Sequence, residues 1–293
     1  MNKTLGYIVA SMRMSHWIKN LFIFAALIFS ANLFNKTDLL LTLEGFFVFS
    51  LSASAVYLCN DIFDRTKDQL HPLKSKRPLP SGQLSVTSAA TAAIILSAVG
   101  LVWAFVLSLW FGATVAVYIV INLWYTMQLK SIVILDVMTI TLGFVLRVVG
   151  GALIINVPTS EWLIICTILL SLFLGFSKRR HEISLLENQA TTHRSVLQHY
   201  SLYFLDQMIG IVTATTVMSY ALYTISEETV RKFGTSHLIY TVPFVLYGIF
   251  RYLYLIHKKE EGGNPTKLAL TDKPLLLNII LWFIAVTIIV YGR

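Results

Sequence analysis

The sequence predicts an all-α membrane protein of about nine transmembrane helices, and three observations carry that expectation. Of its 293 residues, 56% are hydrophobic and only 13% charged, and the mean hydropathy lies well above that of a soluble domain, so lipid is the solvent for most of the chain. Apolar runs of about 20 residues, the length that crosses a bilayer as a helix, recur from one end to the other. The runs are continuously apolar rather than alternating. That suits helices and not barrel strands, because backbone in hydrocarbon must satisfy its own hydrogen bonds.

The candidate spans are residues 18–34, 39–59, 86–106, 110–128, 134–155, 160–177, 204–225, 237–256 and 274–291. Ahead of the first, Lys3, Arg13 and Lys19 interleave with Tyr7 and Trp17. No compact apolar stretch with a small-residue cleavage site follows, so this segment reads as an interfacial helix and not as a removable signal peptide. The first span is short and carries Asn32 near its end; the fifth is interrupted by Arg147, Gly150 and Gly151. Counting Lys and Arg on alternate sides places nearly all of them with the N-terminus, leaving Lys36, Arg231, Lys232 and Arg293 opposite. The positive-inside bias therefore predicts a cytoplasmic N-terminus, an inner-membrane location, an odd number of spans and three long cytoplasmic loops near 60–85, 178–203 and 257–273. With no soluble insertion and no strong repeat, residues 1–293 read as one membrane domain.

The net charge of +8 does not imply nucleic acid, since the cations lie in short loops between apolar runs and not in a patch or tail. Cys59 and Cys166 sit in or beside apolar runs and imply no disulfide framework. Phosphate-loop, zinc-protease and serine-hydrolase motifs are absent from the sequence.

The chemistry gathers in three places. The first is Asn60 to Asp68, directly after the apolar run 46–58. On a continuing helix Asp61, Asp64 and Asp68, spaced by three and four, share one face. Three anions so placed repel each other unless a cation sits among them, and Mg²⁺ is the natural candidate. Close behind come His71, Lys74, Lys76 and Arg77, with Pro78, Pro80 and Gly82 shaping the loop. Metal-binding acids beside phosphate-binding bases suit a diphosphate. The second place is Tyr125, Lys130, Asp136 and, deeper in the fifth span, Arg147. Asp136 and Arg147 lie about 16 Å apart on a straight helix and do not pair with each other. An Arg at that depth costs about 3 kcal/mol on insertion scales, so it calls for a polar cavity, a ligand or an acid from elsewhere. The third is Lys178, Arg179, Arg180, His181 and Glu182 at the end of the sixth span, where a polyanion or a lipid headgroup would relieve the crowding. Lys19 and Asn20, after Trp17, repeat the theme at the first span. Topology-setting charge alone is the competing reading for each cluster.

Asn60, Asp61, Asp64 and Asp68 match the first Asp-rich motif, Asn-Asp-x-x-Asp-x-x-x-Asp, of the UbiA superfamily of intramembrane prenyltransferases, which the chain resembles. The resemblance implies a helical barrel open sideways to lipid, with cytoplasmic loops forming the active site and Asp61, Asp64 and Asp68 holding Mg²⁺. The superfamily's second acidic pair is missing, and Tyr125, Lys130 and Asp136 stand in its place. That departure is similar to the decaprenyl-phosphate phosphoribosyltransferase branch, whose features extend from His16–Asn20 through Leu146–Gly151 and Lys178–Glu182 to Arg251, Tyr252 and Asp272–Leu275. The branch implies transfer of 5-phosphoribose from phosphoribosyl diphosphate to a polyprenyl phosphate, and a role in cell-wall biogenesis. On this reading Asp61, Asp64, Lys130 and Asp136 are catalytic. Lys19, Asn60, Lys74, Arg77, Tyr125, Arg147, Lys178 and Arg179 bind substrate. A prenyltransferase using an isoprenyl diphosphate on a small or aromatic acceptor is the alternative, and a transporter of a phosphorylated solute a distant one.

Overall fold

Backbone groups in lipid have no water to bond, and the structure, a computed structural model, answers with helices throughout. It describes residues 3–70, 74–186, 195–258 and 265–292, and among these there is no strand. His71 and Arg293, and parts of the loops near 178–203 and 257–273, lie outside the described residues. The chain divides into two compact units, Met1–Thr159 with Thr191–Val196, and Ser160–Ala190 with Leu197–Arg293.

In the first unit α1 (Lys3–Ser11) leads through Arg13 into a 3-10 helix, Met14–Ile23, and then α2 (Phe24–Phe29). The long helices follow: α3 (Lys36–Phe63), the short α4 (Arg65–Gln69), α5 (Val86–Leu107), α6 (Leu109–Met127) and α7 (Leu135–Ile154). Asn35 caps α3 by accepting from the Thr37 and Asp38 amides, and Ser85 caps α5 through Ser88. Phe49 of α3 stands edge-on to Phe111 and Tyr118 of α6, with ring centroids 5.8 and 5.4 Å apart. Ile23, Val48, Phe111 and Val115 are fully buried around them. Gly151 of α7 lets the 3-10 helix lie against it, since a Cβ there would stand 2.0 Å from the Ile23 carbonyl oxygen.

In the second unit α8 (Glu161–Leu186) packs on α9 (Leu202–Ile225). The short α10 (Glu227–Phe233), α11 (Val242–Lys258), α12 (Pro265–Thr271) and α13 (Lys273–Tyr291) follow. Some of its buried hydroxyls pair across helices: Tyr220 Oη lies 2.7 Å from Thr241 Oγ1 and accepts from Trp282 Nε1 at 2.9 Å. Arg251 bonds Asp272, which also caps α13 through the Leu275 amide.

Eight helices among the described residues are long and apolar enough to cross a membrane, and they coincide with the second to ninth expected spans. The first expected span is a shorter apolar segment, Met14–Phe29. Its 3-10 geometry rises about 2 Å per residue, so the segment reaches about 29 Å despite its few residues, close to the ~30 Å hydrocarbon thickness. The protein is an integral membrane protein.

Candidate active site

The acidic stretch departs slightly from the straight helix expected of it. α3 ends at Phe63, Asp64 forms the joint and α4 begins at Arg65. Helical bonding nonetheless runs through the joint, from the Asp64 amide to the Asn60 carbonyl at 2.9 Å and from the Asp68 amide to the Asp64 carbonyl at 2.8 Å. The three-and-four spacing therefore keeps its meaning, and each acid meets a cation. Asp61 Oδ1 accepts from Arg13 and, at 3.2 Å, from Arg77. Arg77 Nη1 also donates to Asp68 Oδ2 at 2.8 Å, while Lys74 lies 3.5 Å from Asp68 Oδ1. Asp64 Oδ1 takes Lys130 Nζ at 2.5 Å. Asp61 and Asp68 are buried, whereas their cationic partners keep a share of solvent.

Local sequence explains how these cations arrive. The Arg77 loop is held by Leu79 and Leu84, both buried against Leu58 and Ala89, and closed by the Leu84 amide on the Pro78 carbonyl at 2.8 Å. Gly82 turns it with φ +79°, a conformation that residues with a Cβ rarely adopt. Burial, and next the charge of Arg13, push the Arg77 guanidinium below its usual pKa, with Asp61 and Asp68 opposing. Lys130 sits on a 3-10 turn, Leu129–Ser131, between α6 and α7. Ile134 precedes α7 at φ 69°, a strained position for a β-branched residue, and Asp136 is fully buried in that helix's first turn, where its charge complements the helix dipole. Asn60 Oδ1 accepts from Thr126 at 3.4 Å, and Tyr125 is half-buried beside it in sequence.

Below the mouth a polar seam descends the first unit. Ser50, Ser54, Tyr57 and Asp61 recur at four, three and four residues on α3, hence on one face. Ser54 Oγ accepts from Trp17 Nε1 at 3.1 Å, and Ser50 Oγ accepts from Asn20 Nδ2 at 3.0 Å. Asn20 Oδ1 in turn accepts from Arg147 Nε at 2.6 Å. Arg147 is 5% exposed and, among the described residues, pairs with no carboxylate. It donates to Asn20, to the Gly143 carbonyl at 2.6 Å and to Tyr118 Oη at 2.9 Å, with the Tyr118 ring 4.7 Å from its guanidinium carbon. Lys19, next to Asn20, is half-buried and makes no hydrogen bond or ion pair among the described residues.

The structure thus brings together Lys74, Arg77 and Lys130 with the three acids, and sets Asn60 on the same stretch. Lys178 and Arg179 belong to the second unit, where both pair with Glu182, at 3.8 and 2.5 Å. The sequence reading passed over Arg13, whose guanidinium sits 5.0 Å from the Tyr57 ring centroid as well as on Asp61. The serine spacing on α3 was the signal that this face turns inward.

A metal would find hard oxygen donors here. Among the described residues the cations bond only Oδ1 of Asp61 and of Asp64, leaving each a second oxygen, whereas Asp68 commits both of its own. No three His, Cys, Asp or Glu side chains among the described residues converge on one point. A cation held by Asp61 and Asp64 would complete its shell with water or phosphate, which is the habit of Mg²⁺.

The model of the UbiA prenyltransferase family matches residues 20–271. The decaprenyl-phosphate phosphoribosyltransferase of Corynebacterium glutamicum is 30% identical, over 97% of this chain and 86% of that protein. The enzyme of the same name from Mycobacterium tuberculosis is 28% identical, over 95% and 92%. Among solved structures, a UbiA homolog from Archaeoglobus fulgidus bound to GPP and Mg²⁺ superposes with a TM-score of 0.72 at 18% identity, over 97% of this chain and 99% of that one. The chain belongs to the UbiA prenyltransferase family and is a transferase.

Proposed function

We propose that the protein transfers 5-phosphoribose from phosphoribosyl diphosphate to a polyprenyl phosphate, releasing diphosphate, with Mg²⁺ as cofactor, and that it does so as one domain at the cytoplasmic face of the inner membrane. The observation that carries this reading is the cluster of three acids with Arg13, Lys74, Arg77 and Lys130, found in a chain whose curated relatives over nearly its full length are phosphoribosyltransferases by name.

Asp61 and Asp64 have the oxygens to hold Mg²⁺, which when bound neutralises charge on the departing diphosphate. Asp68 aims Arg77 and Lys74 instead. Arg77, Lys74, Lys130 and the uncommitted Lys19 donate to phosphate oxygens, Arg77 with the planar fork that suits them, and Asn60 offers its amide N–H groups. The C1–O bond to diphosphate breaks, and positive charge grows on the ribose as in glycoside transfer. The lipid phosphate oxygen then bonds C1. It is already ionised near neutral pH and needs positioning rather than a general base. Tyr125 lines the approach. Asp136, without solvent exposure, positions the turn that carries Lys130, and Arg147, enclosed by neutral groups, holds Asn20 and so the backbone beside Lys19.

Membranes containing the protein, supplied with labelled phosphoribosyl diphosphate, polyprenyl phosphate and Mg²⁺, should form a labelled lipid. Asp61→Ala and Asp64→Ala should abolish it. Labelled product surviving both substitutions, or label entering only from an isoprenyl diphosphate, overturns the assignment.

A further inference from the structure

Three acids in the cluster meet four cations, so the site carries an excess of positive charge before any ligand arrives. Arg13 and Arg77 converge on the same oxygen, Asp61 Oδ1. Arg13 reaches it from the joint between α1 and the 3-10 helix, where its backbone is left-handed at φ 52°. Beside them opens a cleft of about 230 Å³ lined by Arg13, His16, Asp61 and Arg77. At about 30 Å³ per water it has room for roughly eight waters.

The free oxygens of Asp61 and Asp64 have the right chemistry for a divalent cation, yet their negative charge is already shared with arginine and lysine. A divalent cation approaching alone adds charge of the sign that is already in excess. One approaching with a diphosphate brings several anionic oxygens, and these give Arg13 and Arg77 acceptors other than the single oxygen they share. Guanidinium groups pair with phosphate at least as well as with carboxylate.

Resting on the assignment of this cluster as a metal and diphosphate site, we propose that Arg13 is a diphosphate ligand held on Asp61 as an internal counter-ion, and that the site takes up a divalent cation only together with a diphosphate. Arg13 and Arg77 exchange carboxylate for phosphate oxygens as the pair enters. Order of binding is thereby built into the charge count. Product diphosphate leaves with its cation, or leaves it weakly held.

Mn²⁺ and inorganic diphosphate are the probes, because the second is released whichever diphosphate donor the enzyme uses. Equilibrium dialysis of the purified protein at fixed free Mn²⁺ should show at least tenfold tighter Mn²⁺ retention with saturating diphosphate than without. Arg13→Gln should strengthen Mn²⁺ binding in the absence of diphosphate and weaken it in its presence, so that the ratio falls several-fold. Arg13→Lys, which keeps the charge, should behave like the natural protein and shows that the effect of Gln is not misfolding. Equal Mn²⁺ retention with and without diphosphate overturns the ordered entry while leaving the metal site intact. Absence of Mn²⁺ retention under both conditions overturns the metal site itself.

Discussion

The two units each carry a cluster of charges at the end of long helices, and the clusters are built differently. In the first, the partners come from afar: Arg13 and Asp61 are 48 residues apart, Lys130 and Asp64 66 apart. The acids there are largely sequestered, and the cations converge on them from α1's end, the Arg77 loop and the α6–α7 turn. In the second, Glu182 pairs with Lys178 and Arg179 one turn back on the same helix, and Arg180 reaches Asp206 on the neighbouring α9. Pairs within one helix turn contribute a few tenths of a kcal/mol and form whenever the helix does. A convergence of acids and bases from four chain segments forms only in the folded protein and costs desolvation, which is the pattern expected of a binding or catalytic site. On this difference rests our proposal that the first cluster carries the chemistry.

Removing charge without removing shape tests the first cluster most directly. Asp61→Asn should lower the transfer rate by about 10³-fold, the order observed when one preorganised charge-stabilising group is lost. Its effect on Mg²⁺ dependence should appear as a raised metal requirement in the same radiolabel assay. A loss under tenfold would mean that the cluster is only a topology signal. Next in size is Arg77→Gln, which strips the shared cation from both Asp61 and Asp68. A fall of about 10²-fold in kcat/KM for the diphosphate donor is expected, about 2.7 kcal/mol, with the acceptor's KM unchanged. An equal rise in both KM values would place Arg77 in folding and not in donor binding.

Much of this was legible beforehand. Apolar length alone located eight long helices, because the bilayer imposes one length on every span, although α8 runs on to Leu186, nine mostly charged or polar residues past the expected end at 177. The acids at 61, 64 and 68 stood out because carboxylates are rare in such a chain, Lys74 and Arg77 because they follow those acids within a short loop, and Lys130 because it closes an apolar run. Arg13 did not stand out. A cation before the first span is what topology requires anyway, and its partner lies 48 residues on. The 3-10 form of Met14–Ile23 was equally hidden, since hydropathy reports how apolar a segment is and not its rise per residue. Arg147 announced itself by its depth, but not its partners: Asn20, Tyr118 and a backbone carbonyl carry no charge to search for. Arg147→Met tests that neutral cage. It removes a buried charge and keeps apolar bulk, so thermal stability should change by less than about 2 kcal/mol. Activity should fall about tenfold as Asn20 and its helix lose their anchor, and Asn20→Asp, which supplies a carboxylate to Arg147, should raise stability relative to Asn20→Ala.

In the second unit the effects should be smaller and should fall on stability. Arg179 is 1% exposed, and it bonds Glu182. Glu182→Gln leaves an acceptor for the guanidinium but removes the opposing charge, costing about 1–2 kcal/mol. The melting temperature in detergent should record it, and the transfer rate should stay within about threefold. A larger loss of rate at unchanged melting temperature would give this cluster a share in the chemistry and erase the contrast drawn above.

The smallest expected effect belongs to Asp206. Its carboxylate bonds Arg180 Nε at 2.5 Å and lies 3.3 Å from His257 Nε2, but its side chain is 38% exposed and so is well hydrated. Exposed pairs of this kind contribute 1 kcal/mol or less, because water screens the attraction and two side chains must be ordered to make it. Asp206→Asn keeps a hydrogen-bond acceptor for Arg180 and gives up only the screened charge. The melting temperature should therefore shift by a degree or two, less than for Glu182→Gln, and the shift should shrink further as salt is added, since the Debye length falls to about 3 Å at 1 M. If the loss instead persists undiminished at high salt, the pair is shielded from solvent on the folded protein, and the second cluster is more like the first than its exposure implies.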